Sequence, residues 1–358
     1  MNTALKEISM ERKNNLIVNE HHDPSAFDTL ALQWGQLVSL SSTNTPFLTW
    51  QWQKTWWEYH KQAHRLRIIT VNEENGDLCG IAPLYSEDTR GEQKLRLLGG
   101  SDLCDNLDFI VTKGEEAHFC HTLLSYLTSS ATSQTSLCLN SLPQQSPTLH
   151  LLKEVAHGRN YGLDIQLEDT APLLDLPSDF DTYLTTLTKK NRHEIRRKMR
   201  RAEKTARISF QKIDLPSRVM HSIPLFLELF RKSAPKKDAF LNRQREQFFL
   251  SIAQEFSREG WLELFALSFD EKVVAYLLCF NYHGTLYLYN SAYDPAYYNL
   301  SPGIVAISYC LKDAINRGIK RFDFLRGNEA YKYHFGAKDQ NLYTLTLCLS
   351  GEEHPCTE

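Results

Sequence analysis

Apolar and polar positions recur with two different periods along the first half of the chain, and these periods predict helices followed by hairpins. Residues 24–40 and 47–60 have the three-to-four-residue spacing of amphipathic helices. Residues 66–87 are predicted to form two strands joined at Asn75-Gly76, a dipeptide that favours a tight hairpin turn. The pattern then continues with a strand, a helix and a strand, at residues 107–111, 115–128 and 136–140.

The second half of the chain repeats this order. A helix predicted over Phe180–Ala206 precedes a strand at 208–213, and two further helices are predicted over Val219–Ser233 and Asn242–Glu259. A meander of three strands follows between residues 261 and 294. Because each half contains an apolar strand, an acidic turn and a second apolar strand, we interpret the chain as a tandem α/β repeat.

Helices that alternate with hairpins pack against a mixed, mostly antiparallel sheet. We therefore predict an α/β (α+β) fold of two tandem domains, each with such a sheet flanked by helices. Pro172 and Pro177 lie in the tract that joins the two halves. The predicted division is a flexible N-terminal tail (1–23), an N-terminal domain (24–170), a C-terminal domain (171–350) and a C-terminal tail (351–358).

Composition is typical of a soluble globular protein, with 358 residues, 42% hydrophobic and 23% charged. A formal net charge of -3 gives no global attraction to nucleic acid or acidic membranes. The N-terminus is too polar for a secretory signal and no apolar run reaches membrane-spanning length, so we expect a cytoplasmic protein without membrane insertion. The eight cysteines contain no Cys-x-x-Cys pair, and His118 and His121 have no companion ligands. We therefore expect reduced thiols and no metal.

The segment Leu286–Gly336 carries the most informative pattern. An aromatic strand enters Ser301-Pro302-Gly303, which opens an amphipathic helix that ends at Gly318. Serine is a favoured helix cap, proline is favoured at the first helical position, and glycine permits close approach of a ligand. Unpaired N–H groups and the helix dipole at such a start favour an anion. The pattern therefore predicts a site for a phosphate-bearing donor, although a well-capped helix without a ligand has the same start.

Six segments carry a resemblance to a known family: FLTWQWQKTWWEY, LCGIAPLY, LDFIV, LTKKNRHEIRRKMRRAEK, YNSAYDPAYYNLSPG and GIKRFDFLRGNEAYKYHFGA. From about Phe47 to Leu349 the chain resembles the CelD-type acetyltransferase-like proteins. These form a branch of the GNAT superfamily of N-acyltransferases that is associated with bacterial cellulose and envelope polysaccharide production. The order of FDFLRG and YKYHFG is also similar to Fem-type peptidoglycan aminoacyltransferases, which are built from two such folds.

The resemblance implies an N-acyltransferase with two GNAT-like domains. Its donor would be acetyl-CoA or another acyl-CoA, and its acceptor a small-molecule amine such as an amino sugar or a metabolite of envelope polysaccharide synthesis. Two alternatives remain open. One is a Fem-like transferase that uses aminoacyl-tRNA, the one case in which we expect a nucleic-acid partner. The other is a non-catalytic binding or scaffold protein of polysaccharide assembly.

One motif departs from the GNAT pattern. Coenzyme-A-binding members carry Gln/Arg-x-x-Gly-x-Gly/Ala across the donor loop, whereas residues 298–303 retain only the last glycine. Pro302 also removes an N–H group that would otherwise be available to phosphate. The donor loop therefore leaves both acyl-CoA and aminoacyl-tRNA open.

Backbone N–H groups polarise the donor carbonyl in the resembled fold, at the point where two strands splay apart. This implies a role for the strand end that contains Tyr289. The residues that we expect to bind the donor are Asn290, Ser291, Asn299, Ser301, Gly303 and Arg326.

Lys332 aligns with the lysine of the Fem-type segment, which implies that its cation stabilises charge on the donor or on the tetrahedral intermediate. Asp323 and Glu329 are the nearest carboxylates. Either would need a raised pKa to act as a general base. The structural alternatives are a surface lysine packed on aromatic rings for Lys332, a strand-end carboxylate satisfied by the backbone for Asp323, and a solvated loop residue for Glu329.

A strongly basic helix is predicted over residues 186–206. Ile195, Met199, Ala202 and Ala206 form its apolar stripe, and cations cover the other faces. The arginines that lie one above the next, and that we expect to bind phosphate, are Arg192, Arg196 and Arg200. Elsewhere, the resemblance implies that Asp105 and Asp108 bind the acceptor, with solvated turn residues as the alternative.

Overall fold

The computed structural model of the protein describes residues 16–349, apart from residues 63, 90, 101, 132–133 and 160 and the side chain of residue 159. The chain forms two compact units. The first contains the residues up to Glu168 and those from Tyr343 onwards, and the second is Asp169–Leu342. The predicted tail at 351–358 lies outside the described residues.

The strands of the described residues are β1 (Ile17–His21), β2 (His64–Asn72), β3 (Leu78–Thr89), β4 (Glu92–Leu97), β5 (Ile110–Val111), β6 (Thr135–Pro143), β7 (Leu163–Thr170), β8 (Leu173–Asp175), β9 (Ile208–Ile213), β10 (Leu262–Phe269), β11 (Lys272–Tyr282), β12 (Thr285–Tyr293), β13 (Arg321–Asp323) and β14 (Asn341–Cys348). The first sheet has the order β1-β2-β3-β4-β6-β14-β7, with β5 paired to β3. The second has the order β8-β13-β12-β11-β10-β9.

The helices are α1 (Ala26–Thr29), α2 (Ala31–Leu40), α3 (Trp50–His60), α4 (Glu116–Ser130), α5 (Pro147–Arg159), α6 (Phe180–Thr186), α7 (Lys189–Thr205), α8 (Pro216–Ser233), α9 (Pro235–Phe240), α10 (Arg243–Arg258), α11 (Pro302–Asn316) and α12 (Ala330–His334). Most strand pairs are antiparallel, while β4–β6 and β12–β13 are parallel. Two mostly antiparallel sheets flanked by helices confirm the predicted fold class.

Three segments differ from the predicted elements. Residues 17–21, assigned to a flexible tail, form a strand that pairs with β2. The helix predicted over Phe180–Ala206 is interrupted, because Leu187 is extended and the Thr188 side chain caps α7 by accepting from Asn191 N. Strand β14, predicted to belong to the C-terminal domain, lies between β6 and β7 of the first sheet.

The second sheet is covered by apolar helix faces. Val305, Cys310, Leu311 and Ala314 of α11 are buried in the same core cluster as Leu286, Leu288 and Phe322 of the strands. Gly318, with φ of 76°, follows the last residues of α11 in a left-handed conformation that glycine adopts without strain. This packing fixes the start of α11 relative to β12.

Two further expectations concern reduced thiols and the lack of membrane insertion. Six cysteines of the described residues are buried and free. Cys348 is disulfide-bonded and so departs from the expectation of reduced thiols. None of the helices that the structure describes combines the length and the apolar character needed to cross a bilayer.

Candidate functional site

An opening in the second sheet lies beside β12. This strand pairs with β11 from Thr285 to Tyr293 but with β13 only as far as Tyr287, which pairs with Asp323. The chain then leaves β12, because Leu325 is left-handed, with φ of 55°, and its N–H donates to Asp323 Oδ1 at 2.8 Å. The second half of β12 therefore has one edge that β13 does not cover.

A β-bulge lies at the start of this open edge. Leu278 pairs with Asn290 and Cys279 with Leu288, so Tyr289 is the extra residue. Its ring stacks on Phe280 at 4.9 Å and packs at 5.6 Å against Phe249 of α10. Bulges redirect a strand and its side chains. The fold thus places Tyr289, Asn290 and Ser291 along the part of β12 that borders the opening.

Two side chains from the neighbouring helices bind the backbone of this edge. The N–H of Tyr293 donates to Ser233 Oγ at 2.8 Å, and this hydroxyl is also 3.0 Å from Tyr293 O. Lys237 Nζ on α9 donates to Ser291 O. The open edge of β12 is therefore lined by polar groups of α8 and α9.

Lys237 is a functional candidate that the sequence did not reveal. Its Nζ lies 4.8 Å from the centroid of the Phe230 ring. Burial, together with the nearby charge of Lys236, lowers the pKa of Lys237 to about 8, although Glu329 opposes this shift. A Lys-Lys pair in a six-residue helix resembles a solvated charge run, and only the tertiary structure shows that one of the two ammonium groups is desolvated.

Lys332 is buried beneath the loop that follows β13. Its side chain is 2% exposed, and Nζ donates to the carbonyls of Leu325, Arg326 and Gly327 at 2.8, 2.6 and 2.9 Å. An ammonium group has three donors, and these carbonyls use all of them. The cation of Lys332 holds the loop that follows β13, and its expected role in stabilising donor charge stays a prediction.

Glu329 pairs with Lys332, and its expected role as a base stays a prediction. Its Oε2 lies 3.0 Å from Lys332 Nζ. Partial burial alone would raise the pKa of Glu329, but the charges of Lys332 and Lys236 lower it below the ordinary value. Asp323 is buried and accepts from Leu325 N, which places it at the root of the opening. The side chain of Arg326 is partly exposed on the same loop.

The donor loop begins at a buried carboxylate. Asp294 is 1% exposed, accepts from Ala296 N at 3.0 Å and lies 3.0 Å from Lys232 Nζ. This cap starts a 3-10 turn over Pro295–Leu300, in which Asn299 is exposed. The predicted capping role of the Ser301 side chain is wrong, because Ser301 is left-handed, with φ of 54°, and makes no side-chain cap bond.

Gly303 lies in the first turn of α11 with space in front of it. A Cβ atom built at Gly303 would meet only Tyr293 Cδ1 among the described residues, at 3.8 Å, an ordinary contact distance. The N–H groups of the first turn of a helix have no intrahelical acceptor. The start of α11 therefore combines free donors with open space.

The basic helix α7 packs against α11 and the 3-10 turn of the donor loop. Ile195 and Ala202 are buried, as the apolar stripe predicts. Arg196 lies 3.5 Å from Asp181, and Arg200 Nε donates to Arg196 O at 3.3 Å. Within the part of the chain that the structure describes, Arg192 has no ion-pair partner. The packing thus places α7 next to α11 and the donor loop.

The acidic loop of the first unit contains two buried carboxyl groups. Asp105 and Asp108 are 8% and 1% exposed. Asp108 accepts from Thr43 Oγ1 at 2.7 Å, and burial raises its pKa although hydrogen bonds with Thr148, Thr43 and Ser146 oppose the shift. Both side chains are buried, and their expected role in binding the acceptor stays a prediction.

The first unit has a parallel strand pair of the same kind, β4 with β6, but its own chain fills the space beyond it. Leu107 N donates to Ser141 O at 3.0 Å, and Leu103, Cys104 and Leu107 are buried. At the start of α4, Glu116 accepts from Gly114 N at 2.6 Å and thus places an acidic side chain at the helix start. The uncovered strand edge and the open helix start therefore occur together in the second unit.

A groove between α4 and α5 has a volume of about 370 Å³ and contains Cys120, whose thiol pKa is raised by burial to about 12. A thiol with such a pKa is a poor nucleophile. Among the described residues, no group of three or more His, Cys, Asp or Glu side chains could hold a metal ion.

Comparison with known proteins agrees with this geometry. Residues 189–333, from α7 into α12, match a family model described as an acetyltransferase (GNAT) domain. No curated protein sequence matches the chain significantly.

Three solved structures share the fold over most of the chain. FemX has a TM-score of 0.64 and 13% identity, covering 91% of this chain and 96% of FemX. L-PGS from Bacillus licheniformis has a TM-score of 0.54 and 10% identity, covering 94% and 95%. A tandem GNAT protein from the clavulanic acid biosynthesis pathway has a TM-score of 0.50 and 11% identity, covering 93% and 99%. At these identities the similarity concerns the fold alone. The relationship to CelD-type proteins in particular stays a prediction.

Proposed function

We propose that the protein is an acyltransferase whose second unit binds an acyl-CoA donor and transfers the acyl group to an amine. The carrier phosphates would lie at the start of α11 and the thioester along the open edge of β12. The acceptor would be a small-molecule amine, for which the CelD-type resemblance suggests an amino sugar or a metabolite of envelope polysaccharide synthesis.

One observation carries this proposal. The opening between β12 and β13 lies on the strand that leads into α11, within the segment that matches the GNAT domain. A thioester placed there would have peptide N–H groups beside its carbonyl, and its phosphates would meet the free donors of a helix start. The donor residues of the proposal are Asn290, Ser291, Asn299, Ser301, Gly303 and Arg326, and Tyr289 would border the reacting group.

Acyl transfer of this type needs positioning and charge stabilisation rather than an enzyme-bound intermediate. The amine would attack the thioester carbonyl directly while both substrates are bound. Orientation of two reactants in one site supplies a large part of such a rate enhancement. Asp323, buried at the root of the opening, would hold the loop that shapes this site.

A second candidate donor is aminoacyl-tRNA. It is favoured by the exposed cations of α7 beside the donor loop and by the likeness in fold to FemX. Binding of tRNA through α7 would weaken steeply with salt, whereas binding of a single acyl-CoA would depend on salt much less, because fewer phosphates are neutralised. Titrations of both ligands at 50 and 200 mM salt therefore separate the two donors.

The experiment that tests the donor site is a calorimetric titration of acetyl-CoA into the wild-type protein and into Gly303→Leu. We expect the leucine to fill the space at the start of α11 and to weaken binding at least about tenfold, equivalent to about 1.4 kcal/mol. Gly35→Leu is the matched control, because Gly35 is also helical and a Cβ there meets nothing within 4 Å. Absence of binding to the wild type, or equal weakening by both variants, would contradict the donor assignment.

A further inference from the structure

We propose that Lys237 takes the proton from the acceptor amine, and this inference rests on the acyltransferase function proposed above. Nothing in the sequence pattern singles out this lysine. Its position, its partners and its electrostatic surroundings carry the inference.

The position of Lys237 fits the task. Its Nζ donates to Ser291 O, two residues beyond the bulge at Tyr289 and on the stretch of β12 that β13 leaves uncovered. The thioester is proposed to lie along this same stretch. An amine that attacks the thioester carbonyl would therefore approach within reach of Lys237 Nζ, which is the first requirement for a general base.

The surroundings of Lys237 favour its neutral form. The Phe230 ring packs 4.8 Å from Nζ, and burial removes water from the ammonium group. The charge of Lys236 on the same helix lowers the pKa of Lys237, whereas the charge of Glu329, on the loop before α12, raises it. On α8, Arg231 is bonded to Asp238 and Glu246, and Lys232 to Asp294, so these charges are already paired. A lysine whose pKa falls to about 8 has a useful fraction of free amine at neutral pH.

The other groups near the opening are less suited to accept a proton. Glu329 is held ionised by Lys332, which makes it a weak base. Lys332 itself uses its three donors on backbone carbonyls. Lys237 makes one hydrogen bond to a carbonyl, so an incoming amine can replace that contact.

The proposed step balances as follows. An acceptor that arrives as R–NH₃⁺ gives one proton to the neutral Lys237 amine, which becomes an ammonium group. The free amine lone pair then forms the new C–N bond, and the C–S bond of the thioester breaks with the electron pair leaving on sulfur. The proton lost from the amide nitrogen goes to the thiolate, giving free thiol, and Lys237 later returns its proton to water.

The pH dependence of the rate of acetyl transfer to an amine tests this role of Lys237. For the wild type we expect the rate of transfer to fall on the acidic side with an apparent pKa of about 8. Lys237→Met and Lys237→Arg should both lower kcat/KM by about 100-fold or more, because general base catalysis contributes factors of this size. The arginine variant keeps the charge but cannot act as a base. Binding of acetyl-CoA by calorimetry should change little in either variant.

Lys312→Met is the matched control. Lys312 is exposed on α11, and its replacement by methionine removes the same charge. An unchanged acidic limb in Lys237→Met, or full activity in Lys237→Arg, would overturn the role of Lys237. Both outcomes leave the acyltransferase proposal intact.

An NMR titration tests the lysine without reference to turnover. In wild-type protein carrying ¹³Cε-lysine, the resonance that disappears in Lys237→Met should titrate with a midpoint near 8. A midpoint at the ordinary lysine value of about 10.5 would rule out a base at neutral pH. If acetyl-CoA neither binds nor reacts, the proposed function fails, and the titration still decides whether Lys237 could serve as a base.

Discussion

At the scale of single residues, Lys237 and Lys332 hold their ammonium groups away from water with different partners. Lys332 is surrounded by three carbonyls and a carboxylate, all of which stabilise the cation. Lys237 has one carbonyl, an aromatic ring and a neighbouring lysine. The contacts of Lys332 stabilise the loop that follows β13, whereas those of Lys237 leave its amine free to exchange a proton.

Replacement of Lys332 by methionine should loosen the loop that follows β13. The buried carbonyls of residues 325–327 would lose their donor, at a cost of about 1–3 kcal/mol for each one left unsatisfied. We expect faster hydrogen exchange in residues 323–335, measured by mass spectrometry, with little change in β9 and β10. Lys338→Met, at an exposed position, is the control. Equal exchange in the two variants would contradict a structural role for Lys332.

Lys237 should make the stability of the protein depend on pH. The unfolded chain keeps this proton up to a pKa near 10.5, and the folded protein releases it near 8. Between these values the unfolded state binds more protons, so the free energy of unfolding rises with pH. The wild type should gain up to about 3 kcal/mol relative to Lys237→Met between pH 8 and pH 10.5. Urea denaturation at both pH values measures this difference, and parallel pH profiles would refute the shifted pKa.

At the scale of elements, α7 and α11 form the side of the second unit on which donor phosphates are proposed to lie. Tyr309 OH on α11 donates to Glu203 on α7 at 2.7 Å, which fixes one helix against the other. Among the described residues, Arg192, Arg200 and Arg201 of α7 are exposed or half-buried without an ion pair, while Arg196 pairs with Asp181 and Arg197 with Glu194. A helix with this excess of cations repels itself unless an anion is bound nearby.

Charge reversal on α7 should weaken donor binding. We expect Arg192→Glu/Arg200→Glu to reduce acetyl-CoA affinity at least about 100-fold, since each of the two lost hydrogen bonds to a charged group contributes about 1.5–3 kcal/mol and about 1.4 kcal/mol corresponds to tenfold. Arg218→Glu/Arg243→Glu changes the net charge equally at exposed positions of α8 and α10 and should have little effect. Calorimetry on the two double variants distinguishes local binding from overall charge. Similar losses in both would argue against a phosphate site on α7.

At the scale of the whole molecule, the chain returns to its first unit in its last strand. β14 lies between β6 and β7, and Leu345 and Leu347 on it are fully buried. The first unit therefore depends on residues that follow the second in sequence.

Truncation after Gln340 should consequently damage the first unit. Loss of β14 leaves β6 and β7 without a shared neighbour and removes buried leucines, each of which contributes about 1.5–3 kcal/mol by burial. We expect faster hydrogen exchange in β6 and β7 and much smaller changes in β10–β12. The intact chain is the reference, and uniform exchange across both sheets would contradict this assignment of β14.

The sequence by itself indicated most of the helices and strands and their order, although not β1 at residues 17–21 or the break at Leu187, because periodicity and caps act over a few residues. It indicated two sheets flanked by helices, the apolar stripe of α7 and the helix that follows Pro302. The tertiary structure alone decided which side chains lose water and which groups meet them. Lys332 bonds carbonyls only five to seven residues before it, but the turn that brings them together has no helix or strand period that would reveal it. Asp108 and Lys237 have their properties because residues far away in sequence, such as Thr43 for Asp108 and Ser291 for Lys237, contact them. The same reason explains why β14 joined the first sheet: long-range pairing, not its own composition, assigns it there.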